Sequence, residues 1–195
     1  MFSPSVEQYI EKYYRETTHA YEVKKLSLML FDGINENLKK IPAKTRKFLE
    51  VAALLHDIGY NIGAKNHNKH SFDIIKKEGI KNFDEEEVTI IALVARYHRA
   101  SLPNKTKHKA YAELKKKERK LVKRLSSILR ICDGLDRAHM QLIKEIKTQY
   151  DEENNIFTIL LTSNISQRTP DISSAIKKKD LFEKVYKTQV VFKFS

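Results

Sequence analysis

Apolar positions recur at helical spacing through the first two thirds of the chain. Ser3-Pro4 is a good helix start, because proline is tolerated in a first turn, and Val6, Tyr9, Ile10 and Tyr13 then share one stripe. Thr17 or Thr18 is placed to cap a second helix carrying Val23, Leu26 and Leu30 and ending near Gly33. A third helix is expected over residues 43–58, stopped by Gly59, and a short fourth over residues 71–77, closed by Gly79. The clearest start is Asp84, with Glu87 three residues on as a capping box, for a fifth helix reaching about His98. A long helix over residues 118–140 has Leu121, Leu125, Ile128, Leu129, Cys132 and Leu135 as its buried stripe. Beyond it the period changes. Residues 143–150, 156–163 and 188–194 have strand character, with a turn at residues 151–155 and a short helix over residues 171–186. The expected fold is mainly α: a core of six or more helices over residues 1–140, with a small C-terminal antiparallel β-containing α+β lobe over residues 141–195 packed on it.

Length and composition add little to this picture, but charge does. A chain of 195 residues suits one compact body with a small appended lobe, and its single cysteine, Cys132, excludes a disulfide framework. No apolar run approaches the roughly 18 residues of a membrane span, and Glu7, Glu11 and Lys12 stand where a signal peptide needs an apolar stretch. A cytoplasmic protein with no membrane partner is expected. The 37 Lys+Arg against 25 Asp+Glu leave a net charge of +12, a field that attracts polyanions. Residues 105–124 hold ten Lys or Arg against Glu113 and Glu118 alone, and read as a charged helical surface. With no stacking aromatic beyond Tyr111 and no recognisable reading helix, nucleic acid is disfavoured as a partner.

The candidate chemistry lies in histidines and aspartates at apolar faces. His56-Asp57 follows Leu54-Leu55 at a helix end, where an imidazole and a carboxylate beside a buried stripe are costly unless satisfied. Alone, the pair reads as a capping histidine and an acceptor for turn amides. His19 shares the stripe of Val23, Leu26 and Leu30, Asp136 sits near the centre of the long helix's stripe, and Asp133 is on its shoulder. Arg130 and Arg137 are local partners for a purely structural pairing. With His70 near one helix start and His98 near another's end, five helices in chain order offer metal-type ligands.

That order, His19, then Leu55-His56-Asp57-Ile58-Gly59, then Asp133, resembles the HD superfamily of metal-dependent phosphohydrolases. The text around it, HAYEVKKLSLMLFD from His19, LLHDIGYNIGAKNHNKHS from Leu54, IALVARYHR from Ile91, LSSILRICDGLDRAHM from Leu125 and DLFEKVYKTQVVFKF from Asp180, is similar to the C-terminal HD region of the exopolyphosphatase/guanosine pentaphosphate phosphatase family. The resemblance implies an HD-domain helical core. In that family the catalytic unit is a separate N-terminal domain with glycine-rich phosphate loops. This chain has five glycines in all, so that activity is not carried over, and any chemistry is expected from the HD site.

By this resemblance His19, His56, Asp57 and Asp133 hold one divalent metal, and His70 and His98, with Asp57 bridging, hold a second. Mixed imidazole and carboxylate ligands suit Mn, Fe, Ni, Co or Zn, with Mg disfavoured. His56 and Asp57 are then the catalytic pair. Lys69, Arg96, Arg99, Arg130 and Arg137 are candidates to bind phosphate, and His67 and Asp136 to orient the ligands. His108 and His139 are read as outside the site. The expected activity is hydrolysis of a nucleotide, another phosphoester or polyphosphate. A non-catalytic module that binds polyphosphate or a nucleotide is the alternative. An edge strand of the tail is available for a homodimer.

Overall fold

The computed structural model describes residues 3–164 and 169–194. Its helices are α1 (Val6–Tyr13), α2 (Thr18–Asn37), α3 (Arg46–Leu55), α4 (His67–Glu78), α5 (Glu85–Arg96), α6 (Lys109–Glu113), α7 (Lys116–Leu135), α8 (Ser173–Lys178) and α9 (Asp180–Tyr186), with strands β1 (Ile143–Asp151), β2 (Ile156–Ser163) and β3 (Gln189–Phe194). Short 3-10 turns cover Ala43–Thr45 and Ile58–Asn61. The chain is mainly helical with a small three-stranded C-terminal sheet.

Helices α3 and α5 form the middle of the helical body. Val51 to Leu55 and Ile90 to Ala95 are buried without interruption, as a helix surrounded by others must be. Around them pack Val23, Leu26, Leu30 and Ile34 of α2 and Leu125, Ile128, Leu129 and Cys132 of α7. Capping boxes start α1 at Ser5/Gln8 and α5 at Asp84/Glu87, satisfying amides that have no partner within the helix.

Several boundaries differ from the sequence expectation for identifiable reasons. Helix α2 runs past Gly33 to Asn37, because Gly33 is a packing position rather than a stop: a Cβ there would lie 2.5 Å from Thr148 Oγ1 on β1. Asn37 then donates to that same Oγ1 at 2.9 Å, tying the helix to the strand. Helix α3 stops at Leu55, with His56 as its cap and Asp57 outside it. Helix α4 starts four residues earlier than expected, at His67, after Asn66 turns through a left-handed backbone at φ 62°. Helix α7 ends at Leu135, where the Asp136 carboxylate accepts the Gln141 amide at 2.9 Å and folds the chain into a turn. The helix expected over residues 171–186 is two short ones, α8 and α9, and the charged helical stretch expected over residues 105–124 is divided between α6 and the start of α7.

The tail's first two strands pair antiparallel, Ile146 opposite Leu161 and Tyr150 opposite Phe157. The third adds parallel to β2, Phe157 beside Val190. The sheet is therefore mixed, since α8 and α9 form the crossover that brings β3 back in the same direction. Phe157, Ile159 and Leu161 face inward and join the helical core, with Phe157 stacked on Phe182 of α9 at 5.4 Å. Helix α8 lies directly on α7 at Gly134, where a Cβ would come within 2.6 Å of Ala175 Cα.

This close approach predicts an inverted helix propensity. Gly134→Ala should destabilise the protein by about 1–3 kcal/mol in urea melts, because backbone crowding outweighs the ~1 kcal/mol that alanine gains inside a helix. Gly63→Ala, with no neighbour within 4 Å, should be neutral or slightly stabilising.

Candidate metal centre

Five helix ends meet at one point, and each brings at least one ligand-type side chain. His19 comes from the first turn of α2, His56 caps α3, Asp57 follows it, and His67 opens α4. His98 lies two residues beyond α5, Asp133 sits in the last turn of α7, and Asp136 caps that helix. All seven are buried.

Hydrogen bonds at the far side of each ring decide what the rings present to the centre. His56 Nδ1 lies 2.7 Å from the Ala53 carbonyl, His98 Nδ1 2.7 Å from that of Ala95, and His67 Nδ1 3.1 Å from that of Ala64. A carbonyl only accepts, so Nδ1 donates in each case, and the neutral form of each ring turns an Nε2 lone pair toward the centre. His19 Nδ1 is held the same way by Asp136 Oδ2 at 2.8 Å. Four Nε2 atoms thus converge on two carboxylates.

Asp57 divides them. Its Oδ2 lies 3.3 Å from His56 Nε2 and 3.9 Å from His19 Nε2, while Asp133 Oδ1 lies 3.4 Å from His19 Nε2 and 3.8 Å from His56 Nε2. Its Oδ1 lies 3.1 Å from His67 Nε2 and 3.6 Å from His98 Nε2, and those two nitrogens are 3.3 Å apart. His19, His56 and Asp133 form one group able to hold an ion, and His56, Asp57 and His98 an overlapping one. Donor atoms on a metal with ~2.1 Å bonds stand roughly 3.0–3.5 Å apart, close to these separations. His19 Nε2, His56 Nε2 and Asp57 Oδ1 are buried with no hydrogen-bond partner, a costly condition that a cation relieves.

The electrostatics point the same way. Burial alone would lower the pKa of His19, but the Asp133 and Asp136 carboxylates outweigh it and lift it to about 9. His56 is also raised against its burial, chiefly by Asp57. Burial would raise Asp57, yet His56 and His67 hold it well below the usual carboxylate range. Asp133 is lowered against burial by His19, with help from His98 and Lys178. The two carboxylates therefore stay ionised and demand positive charge. His98 goes the other way, to about 3, because burial and the neighbouring His56 both disfavour its cation.

Two openings reach the cluster. A cavity of about 680 Å³ is bordered by Tyr13, Arg15, His19, Asp57, Tyr60 and His139. A smaller one of about 180 Å³ is bordered by Asp57, His67, His98, Asp133 and the cations Arg99, Arg137 and Lys178.

The expected residues are thus partly regrouped. His19, His56, Asp57, Asp133 and His98 come together, with Asp136 behind His19. His70 does not join them: it is half-buried one turn further along α4, against Gly59, and His67 occupies the position beside Asp57 and His98. The early start of α4 is the cause, since it puts His67 in the first turn. Arg99 and Arg137 line the smaller cavity, whereas Lys69 is exposed away from both cavities and Arg96 lies over the Phe72 ring in a separate one. Arg130 turns to the Tyr97 carbonyl at 3.3 Å and to Asp180 at 3.5 Å.

Three contributors escape the sequence. His139, read as outside the site, stacks on His19 with ring centres 3.8 Å apart, placed there by the turn after α7. His108 does stand apart, 2.7 Å from the Tyr97 hydroxyl. Lys178, one of three consecutive lysines, reaches Asp133 from α8 and forms an ion pair with it. Tyr60 stacks on His67 at 3.9 Å. Nothing in the local spacing distinguishes these side chains, although His56, His67 and His98 share one legible feature: each bonds the carbonyl three residues before it.

Comparison with known proteins agrees with the sequence resemblance at the level of family. Over 98 residues, half of the chain, the sequence is 31% identical to a guanosine-5'-triphosphate,3'-diphosphate pyrophosphatase of Pseudoalteromonas translucida (strain TAC 125), and this stretch covers 20% of that protein's length. Residues 3–180 match the family described as Ppx/GppA phosphatase, domain III. The match takes in every helix that contributes to the cluster, and the chain belongs to that family.

Proposed function

We propose that this chain is a metal-dependent phosphohydrolase of the HD type, acting on a phosphorylated small molecule. The observation that carries the reading is the convergence of four imidazole Nε2 atoms, each with its Nδ1 held by an acceptor, on two buried carboxylates. His19, His56, Asp57 and Asp133 would hold one divalent ion, and Asp57, His67 and His98 a second. Imidazole with carboxylate suits Mn, Fe, Ni, Co or Zn better than Mg. When bound, such an ion polarises phosphate oxygens and lowers the pKa of water.

The chain's own groups supply the rest. Carbonyl bonds at Nδ1 keep the rings oriented, and Asp136 does so for His19. Arg99 and Arg137 border the smaller cavity, where guanidinium groups bind phosphate oxygens in pairs. Lys178, paired with Asp133, borders the same cavity and would add a third positive charge beside the phosphate.

A second reading rests on the family itself: the match is to one domain of a phosphatase, and the aligned stretch covers a fifth of the matched relative. In that reading the chain binds a metal and a nucleotide or polyphosphate without cleaving it. Both readings require metal, and only the first requires turnover.

Elemental analysis of the purified chain should find one to two equivalents of a first-row transition ion, with metal-dependent phosphate release from a phosphoester panel. His56→Ala with Asp57→Ala should abolish both. A metal-free protein, or phosphate release that survives this double substitution, rules the reading out. Stoichiometric metal with no release from any substrate leaves the binding module.

Asp136 gives a separate check. Asp136→Asn can turn its amide NH₂ toward His19 Nδ1, which moves the ring proton onto Nε2 and removes the lone pair. Metal affinity should fall roughly 10- to 100-fold, measured by competition with a chelating dye, while circular dichroism shows the fold retained.

A further inference from the structure

The two openings onto the cluster differ in chemistry, and they meet at Asp57, Tyr60 and His139, which border both. The smaller is the cationic one, with Arg99, Arg137 and Lys178 around about 180 Å³. The larger, about 680 Å³, is ringed by aromatic groups, Tyr13, Tyr14, Tyr60 and His139, and its one arginine, Arg15, is followed by Glu16 on the same rim. It has the size of a small-molecule pocket and no surplus of positive charge. The ring of Tyr60 rests on His67, and that of His139 rests on His19. Tyr60 is still 45% exposed, so its ring has surface to offer a ligand.

We propose that the site takes a nucleoside monophosphate, its phosphate in the cationic compartment and its nucleoside in the aromatic one, with Tyr60 as the residue that selects for the base. This rests on the phosphohydrolase reading. An inorganic polyphosphate chain threading past Asp57 needs a surplus of cations on both sides of the cluster, and only the smaller compartment has one. A planar base, in contrast, gains from each ring that fixes it by stacking, as base–aromatic contacts do generally. Hydrolysis in this orientation breaks the bond from phosphorus to the ester oxygen and forms one to the oxygen of water. A proton from that water goes to the leaving oxygen, giving nucleoside and inorganic phosphate. The nucleoside departs through the larger opening and phosphate through the smaller.

Calorimetric titration of the full chain in Mn²⁺ with adenosine 5'-monophosphate, glycerol phosphate and inorganic tripolyphosphate tests this without requiring turnover. The nucleotide should bind more tightly than either of the others. Tyr60→Ala should weaken the nucleotide by roughly 5- to 100-fold, the range of a lost base–aromatic stack, and so erase its advantage over glycerol phosphate. Tyr60→Phe, which keeps the ring, should restore that advantage. Tighter binding of tripolyphosphate overturns the proposal, as does a Tyr60→Ala loss that is equal for nucleotide and glycerol phosphate. Failure of the phosphohydrolase reading looks different: the nucleotide binds with Tyr60-dependent preference, and no metal supports its cleavage.

Discussion

Two ionised carboxylates, Asp57 and Asp133, sit in a protein interior, and the arrangement around them follows from that cost. Each buried charge carries a desolvation penalty of several kcal/mol that only close, well-oriented positive charge or a cation offsets. Four imidazoles provide the first layer. They are useful only because their rings are fixed, and the fixing is done cheaply. At a helix C-terminus the last carbonyls have no partner in the helix, and His56 and His98 use them, each turning Nδ1 onto the carbonyl three residues back. An obligatory loss at the end of a helix thus becomes the means of aiming an imidazole at the carboxylates.

The need to assemble such termini explains the shape of the helical body. Helices α3 and α5 are sheathed in apolar neighbours along their lengths, so their ends are rigidly placed, and α2, α4 and α7 bring theirs to the same spot. The C-terminal part is fastened by close approaches at two glycines, by the buried face of its strands and by the Lys178–Asp133 and Arg130–Asp180 ion pairs. Gly33 lets β1 touch α2, and Gly134 lets α8 touch α7. The second contact carries Ser174 and Lys178 to the rim of the cluster, so the small sheet and its crossover helices are part of the site's construction.

The net charge of +12 reads differently once position is known. Much of it lies in residues 105–124, on exposed or half-buried lysines and arginines that border neither opening onto the cluster. The cations that border the cluster are few, and they come from the ends of α5, α7 and α8. A strongly basic composition therefore describes the surface in general, while three particular residues supply the positive charge bordering the smaller cavity.

Helix positions, the central apolar stripes and the ligand types of His19, His56, Asp57, His98 and Asp133 were legible in the sequence by itself, because periodicity and the expense of a polar group on an apolar face are local properties. The capping box at Asp84 was legible for the same reason. The exchange of His70 for His67 was not. The two differ by three residues, and only the turn at Asn66, which starts α4 early, decides which imidazole meets Asp57. His139, Tyr60 and Lys178 reach the cluster through a turn after α7, a turn after α3 and a packed crossover helix, none of which has a periodic signature. The parallel placement of β3 likewise depends on the path of that crossover. Residue type and spacing set which atoms are available, and long-range packing alone decides which of them meet within 4 Å.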